Sequence, residues 1–380
     1  MRSSSDQAQI AARIVLLVRS SKATSRRVLA DEARLSPTTA GMYADDLIRR
    51  GFLHESGLER GGMGRPKRLL TVNPNAGWFI GLEFNADRAQ AMAVDFAGQV
   101  KSSRMALLPR GADAEQILLA LIELVRQLQA QVAMNAPLLG IGVGAAGLVE
   151  PTQGVALYYA FIPGWKDVSI GERFRSEFDV PVTVENNLRA IALAERWYGD
   201  GRDLQDYVIL GPRSGFGAAM VNGGKLVHGA RWAAGEIGRW PWPLTAGAGG
   251  SEVHHMLSAP MVFRRLAGLQ DNAPVPEDLV SAFADFAHTE GPIWDSIVED
   301  FGRIIGCLHV LMDAEVYLLH GPLTTLGERF CNDIVRAAES VCPGIAPGSL
   351  RLVPSALGDN AGALGAASLA MEAWTPAEVG

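Results

Sequence analysis

Two adjacent amides, Asn186 and Asn187, stand where this chain most readily places chemistry. Residues 182–184, Val-Thr-Val after Pro181, form a short β-branched run of the kind that makes a buried strand. Leu188, Ile191 and Ala192 then recur at helical spacing, which puts the amides at the tip of a strand and the mouth of a helix. Ligands of open α/β sheets bind there, beyond the carboxyl ends of the strands. An amide donates and accepts hydrogen bonds but has no basic lone pair, so neither residue can act as a general base. The junction reads as a place to bind hydroxyl groups.

A second chemistry lies at the amino end. Residues 1–75 carry 13 Lys/Arg against 7 Asp/Glu, whereas the remainder holds 21 against 34. A basic module on an acidic body implies a polyanion-binding head. Residues 7–20 are amphipathic, Thr24-Ser25 caps a second helix over 26–34, and Ser36-Pro37 starts a third that runs to about Arg50 before Gly51. Phe52-Leu53-His54, a Gly/Arg-rich loop over 57–68 and Leu69-Leu70-Thr71-Val72 complete a strand, loop and strand. This is the pattern of a winged helix-turn-helix. Ser36 opens the third helix, and Thr38, Thr39 and Tyr43 project from its first turns toward a major groove. Arg49 and Arg50 meet phosphates, while Arg65, Lys67 and Arg68 of the wing reach the minor groove or backbone.

The elements that must position the amides follow from residue 77. Strands are expected over 78–84, 88–96 and 100–108, a helix over 114–132, a strand over 139–145 and a helix over 171–178. A second half repeats the alternation: strand 206–210, glycine-rich turn 211–217, strand 218–221, then helices over 257–309. In these helices Ile304, Ile305, Leu308 and Leu311 make one apolar face. Strand 316–320, helix 323–339, strand 350–355 and a small-residue helix over 360–373 close the chain. Hydrophobic content of 48% with 20% charge describes a globular chain able to bury large cores, and its apolar runs are too short to span a bilayer. Cys307, Cys331 and Cys342 have neither metal-like nor disulfide-framework spacing, which suits a reducing cytoplasm.

Taken in order, several segments resemble the ROK family (repressors, open reading frames, sugar kinases), as a transcriptional regulator of the xylose-repressor and N-acetylglucosamine-repressor type. They are Val184-Glu185-Asn186-Asn187, Pro163-Gly164-Trp165, Glu236-Ile237-Gly238 and the closing run from Ala356 to Ala367. The resemblance implies an α/β fold: an N-terminal winged helix-turn-helix (1–75), then a two-lobed actin-like ATPase domain of the sugar-kinase, ribonuclease H-like kind. The first lobe would span 76–190 and the second 191–380, with the last helix returning to the first lobe. It also implies that Asn186, Asn187, Glu236 and Arg239 line an effector site. In the family's kinases an Asp base occupies the position of Asn187.

The departures from the family are chemical. The zinc- and sugar-binding His after Glu-x-Gly is Arg239, and residues 240–251 lack every thiolate of the family's zinc clip. Arg239 either pairs with Glu236 or faces the ligand, in which case the ligand is a sugar acid or phosphosugar. The phosphate loop reads Gly211-Pro212-Arg213-Ser214-Gly215-Phe216-Gly217, where Pro212 removes a backbone donor. The first hairpin, around Leu82-Glu83-Phe84-Asn85-Ala86, keeps neither the family's Asp nor its Gly. No catalytic residue, no metal, no zinc and no ATP are therefore expected. The resemblance then implies a cytoplasmic homodimer or dimer of dimers that binds double-stranded operator DNA, controlled by a sugar, sugar acid or phosphosugar and not attached to a membrane. The alternatives are an ATP-dependent sugar kinase with an atypical active site and a regulator controlled by a protein partner.

Overall fold

The computed structural model describes residues 4–59, 67–132, 135–243, 251–342, 344 and 346–376. The chain divides into two compact units, Met1–Ala190 with Gly362–Gly380, and Ile191–Ala361.

The first unit opens with helices Ser4–Arg19, Arg26–Ala33 and Pro37–Arg49. Local chemistry sets their ends. Ser25 accepts from the Val28 amide, Ser36 accepts from that of Thr39, and Pro37 occupies the first turn, where no intrahelical donor is needed. Gly51 ends the third helix at φ 78. Strands Leu53–Glu59 and Lys67–Val72 pair antiparallel. They reach further into the glycine-rich stretch than its composition suggests.

A five-stranded sheet follows, in the order Val182–Asn186, Leu138–Ala145, Trp78–Phe84, Arg88–Asp95, Val100–Leu107. The last three form an antiparallel meander, and the first two run parallel to Trp78–Phe84. Helix Ala114–Gln131 starts at a capping box between Asp113 and Gln116 and buries Leu121, Val125 and Leu128. A small sheet, Leu148–Glu150, Val155–Tyr158 and Lys166–Val168, was not legible in advance, because strands of three or four residues carry no periodicity.

The closing helix Ala361–Ala373 belongs to this unit. It lies directly on the sheet: a Cβ at Gly81 would come within 1.9 Å of the Ala363 carbonyl oxygen, and one at Gly142 within 1.7 Å of that of Ala366. Only glycine in the strands and small residues in the helix permit that approach, which accounts for the Ala/Gly composition. The helical head shares the same core. Phe52 meets Phe96 at 5.6 Å in a tilted contact and Trp374 edge-on at 4.9 Å, and Arg19 donates to the Phe96 carbonyl while lying over its ring. Each large apolar side chain so buried contributes roughly 1.5–3 kcal/mol.

The second unit has its own sheet, ordered Lys225–Leu226, Phe216–Asn222, Tyr207–Pro212, Val316–Leu319, Leu352–Pro354. Helices Pro292–Met312 and Gly327–Val341 pack together over its core, with Phe301 against Phe330 at 5.5 Å. Two sequence expectations fail here. Ile304, Ile305 and Leu308 are buried, but Leu311 is 72% exposed. The helix stops at Met312, Asp313 adopts a left-handed cap, and Ala314 fills the core in its place. The expected turn over 211–217 is mostly strand, with Gly211 opposite Gly217 and Pro212 opposite Phe216. Among the described residues no helix is long and apolar enough to cross a membrane.

Candidate functional site

Strand Val182–Asn186 passes into helix Asn187–Tyr198 without a loop. Asn186 makes this possible. Its Oδ1 accepts from the amides of Leu188 (2.9 Å) and Arg189 (3.2 Å), which caps the helix, and its Nδ2 donates to the Gly147 carbonyl at 2.8 Å. Asn187 is buried and donates from Nδ2 to Oε1 of buried Glu83 at 3.1 Å. Glu185 and Arg189, also buried, pair at 3.1 Å, and Glu185 accepts from the Asn186 amide at 2.7 Å. The closing helix presses on this cluster, since a Cβ at Gly362 would lie 2.4 Å from Cγ of Glu83. Glu83 was passed over in the sequence because it departs from the family's Asp. Its signal was a carboxylate at that same strand position.

The other two predicted effector residues lie in the second unit. Glu236 precedes the 3₁₀ turn Ile237–Arg239, and Arg239 turns back to it, Nε to Oε2 at 3.5 Å. Arg239 is half exposed, so this pair is solvated and adjustable. An imidazole reaches the same turn from further along the chain: a Cβ on Gly238 would lie 3.1 Å from Nδ1 of His254. Burial, then neighbouring His255, hold the His254 pKa below its ordinary value, which favours the neutral ring.

The family's zinc clip needs thiolates, and residues 240–251 contain none, so the residues present do not fit it. Of that segment, 244–250 lie outside the described residues. Glu252, His254 and His255 do bring ligand atoms within 4.8 Å of one another, and Glu252 already pairs with His254 at 3.0 Å.

Around Gly211–Gly217 the hairpin tip engages a donor of its own. The Arg213 amide points to the carbonyls of Gly211 and Gly215 at 2.9 and 2.8 Å, and Pro212 has no N–H. A further buried carboxylate escaped the sequence reading. Glu195 accepts from the Ser355 hydroxyl and the Asp200 amide, and burial pushes its pKa above the usual carboxylate range.

In the head, Ser36 and Thr39 tie their hydroxyls together at 2.8 Å, so both serve the helix start. Thr38 is exposed, as is Met42, while Tyr43 packs against the core of the head. A chain of ion pairs crosses the module, Asp45 to Arg26 (2.7 Å), Arg26 to Glu55 (2.8 Å) and Glu55 to Arg68 (2.8 Å). The guanidinium of Arg68, then that of Arg26, holds the Glu55 carboxyl below its usual pKa. Arg65 lies outside the described residues, as does the side chain of Lys67.

Comparison with known proteins agrees with this architecture. The chain is 31% identical over 219 residues to a xylose repressor of Caldicellulosiruptor bescii, covering 57% of this chain and 54% of that one. It is 34% identical over 128 residues to a β-glucoside kinase of Listeria monocytogenes, covering 34% of this chain and 41% of the kinase. The chain thus spans about half the length, or less, of these curated relatives. A crystal structure of a ROK-family transcriptional regulator, a homologue of the E. coli MLC protein, superposes with a TM-score of 0.77 at 21% identity over 96% of both chains. The model of the ROK family matches residues 79–373, and the chain belongs to that family.

Proposed function

We propose that the chain is a transcriptional repressor of carbohydrate-metabolism genes. Its N-terminal helices and hairpin act as a winged helix-turn-helix on operator DNA. Its ROK body binds a sugar or sugar-derived effector without transferring phosphate. The observation that carries this reading is Asn187: where a kinase of the resemblance needs a base, this chain has an amide already donating to buried Glu83. The hairpin tip supports it, because phosphate cradles need free backbone donors, and here Pro212 has none and the Arg213 amide is engaged within the loop. The 31% likeness to a xylose repressor supports it as well.

The head suits the task. Its excess of cations favours a polyanion, and Thr38, Met42 and Arg49 are exposed along the third helix. A symmetric dimer of such chains, working in the cytoplasm, would read an inverted repeat. Fluorescence anisotropy on an inverted-repeat operator tests this. Arg65→Ala should weaken binding and reduce the salt slope by about one unit if the residue meets a phosphate. Glu236→Ala should abolish the effector response and leave ligand-free operator affinity intact. Formation of sugar phosphate from ATP above a mock preparation would instead establish the kinase reading.

A further inference from the structure

The polar junction of the first unit borders a group of aromatic rings that the reading above does not use. Strand Val155–Tyr158 leads into a loop that returns at Lys166. Tyr158 and Phe161 are 46% and 51% exposed, and the rings of Tyr159 and Phe161 meet at 5.3 Å. The loop is held shut. Tyr159 donates its amide to the Trp165 carbonyl at 3.2 Å, Trp165 donates its own to that of Ile162 at 3.2 Å, and both Ile162 and Trp165 are buried. The rings are therefore displayed from a fixed backbone.

Their position links them to the amides. Gly147, whose carbonyl takes the Asn186 Nδ2, lies so near this loop that a Cβ on it would meet the Tyr158 carbonyl oxygen at 2.3 Å and the Tyr159 Cβ at 2.8 Å. A second observation points the same way. The indole N–H of Trp165, at the base of the loop and only 1% exposed, has no acceptor among the described residues. One exposed aromatic needs no explanation. An exposed Phe161 ring in contact with Tyr159, on a braced loop beside paired amides, makes an apolar wall with few polar groups of the kind that small-molecule sites present.

We propose that Phe161, braced by Tyr159, forms an aromatic platform for the flat apolar face of a glycoside. This deepens the sugar-effector reading and rests on it. The face could be the C–H side of a pyranose ring or an aryl aglycone, and in either case the platform favours a glycoside over a sugar acid or phosphosugar.

The test is isothermal titration of the full chain with glucose, methyl β-D-glucopyranoside, phenyl β-D-glucopyranoside, gluconate and glucose 6-phosphate. The glycosides should bind more tightly than the anions. Phe161→Ala should weaken them about tenfold, at the upper end of what one aromatic contact supplies. Phe161→Trp should restore the affinity, and the ligand-free Tm of both variants should match the parent, since the ring is half exposed. A greater loss on the phenyl than the methyl glycoside assigns the platform to the aglycone, and equal losses assign it to the pyranose. Glycoside affinities unchanged in Phe161→Ala, or tighter binding of the anions, overturn the platform and leave the sugar reading standing. Binding of none of the five compounds overturns the glycoside platform.

Discussion

The Asn186–Asn187 junction and the Glu236–Arg239 turn carry the polar residues expected to meet the effector, yet they are built on opposite principles. At the junction Glu83, Glu185, Asn187 and Arg189 are buried and Asn186 is part-buried, and their bonds run from Asn186 to the helix cap and Gly147, from Asn187 to Glu83 and from Arg189 to Glu185. At the turn the Glu236–Arg239 ion pair is 3.5 Å long and open to solvent. A buried polar lattice holds a single geometry because any unmade bond there costs the whole desolvation of the group. A solvated pair yields to a ligand at little cost. The first region is fixed in one geometry, and the second can rearrange at little cost.

The comparison breaks most sharply at Arg189. Arg189→Met leaves Glu185 as a buried carboxylate without its cation and should cost about 3–5 kcal/mol in urea unfolding. A loss below 1 kcal/mol would mean that water reaches the junction, and the contrast would fail.

Asn187→Asp should come next. It exchanges an amide donor for a carboxylate facing Glu83, with an expected loss of about 1–3 kcal/mol near neutral pH. Two carboxylates in contact share one proton, so the folded pKa of the pair rises. The Tm deficit should shrink on acidification and grow as pH increases. No phosphate transfer from ATP to a hexose should appear, because the hairpin tip at Pro212-Arg213 is unchanged; turnover in this variant would show that the base alone was missing.

Glu195 asks whether burial, and not membership of a unit, sets the behaviour. Burial raises its folded pKa above the ordinary value of 4.5. The folded state then holds a proton that the unfolded chain has released. This contribution to stability is full below the ordinary value and is lost as pH rises through the raised one. Glu195→Gln should remove that decline and flatten the pH profile of Tm. An unaltered profile would show that the carboxylate is solvated.

The smallest effect belongs to Arg239→Ala, with a stability change under about 1 kcal/mol. The same near-zero result is expected of chelation, since the family's thiolates are missing from residues 240–251. Elemental analysis should find well under one zinc per chain. A full equivalent would direct attention to Glu252, His254 and His255.

Much of the fold was legible because its signals are local. The caps at Ser25 and Ser36, the stop at Gly51, the meander from Trp78 to Leu107 and the strand-to-helix step at Asn186 all depend on residues within a few positions of one another. The chemistry of absence was equally plain: no carboxylate at 187 and no thiolate over 240–251. The family's segments told which positions to inspect, but not that Glu83 of the first hairpin would partner Asn187.

Sequence by itself determined most of the elements, the basic head and the amide at position 187. Tertiary structure decided who partners whom. Asn187 meets a carboxylate 104 residues away and Glu195 a hydroxyl 160 residues away, separations at which no periodicity speaks. The same distance-blindness explains Leu311, apolar and in phase with its helix yet exposed, and Tyr43, which is partly buried against the core of the head. A residue's type says what it can bond to, whereas burial decides whether the solvent or a distant part of the chain supplies the bond.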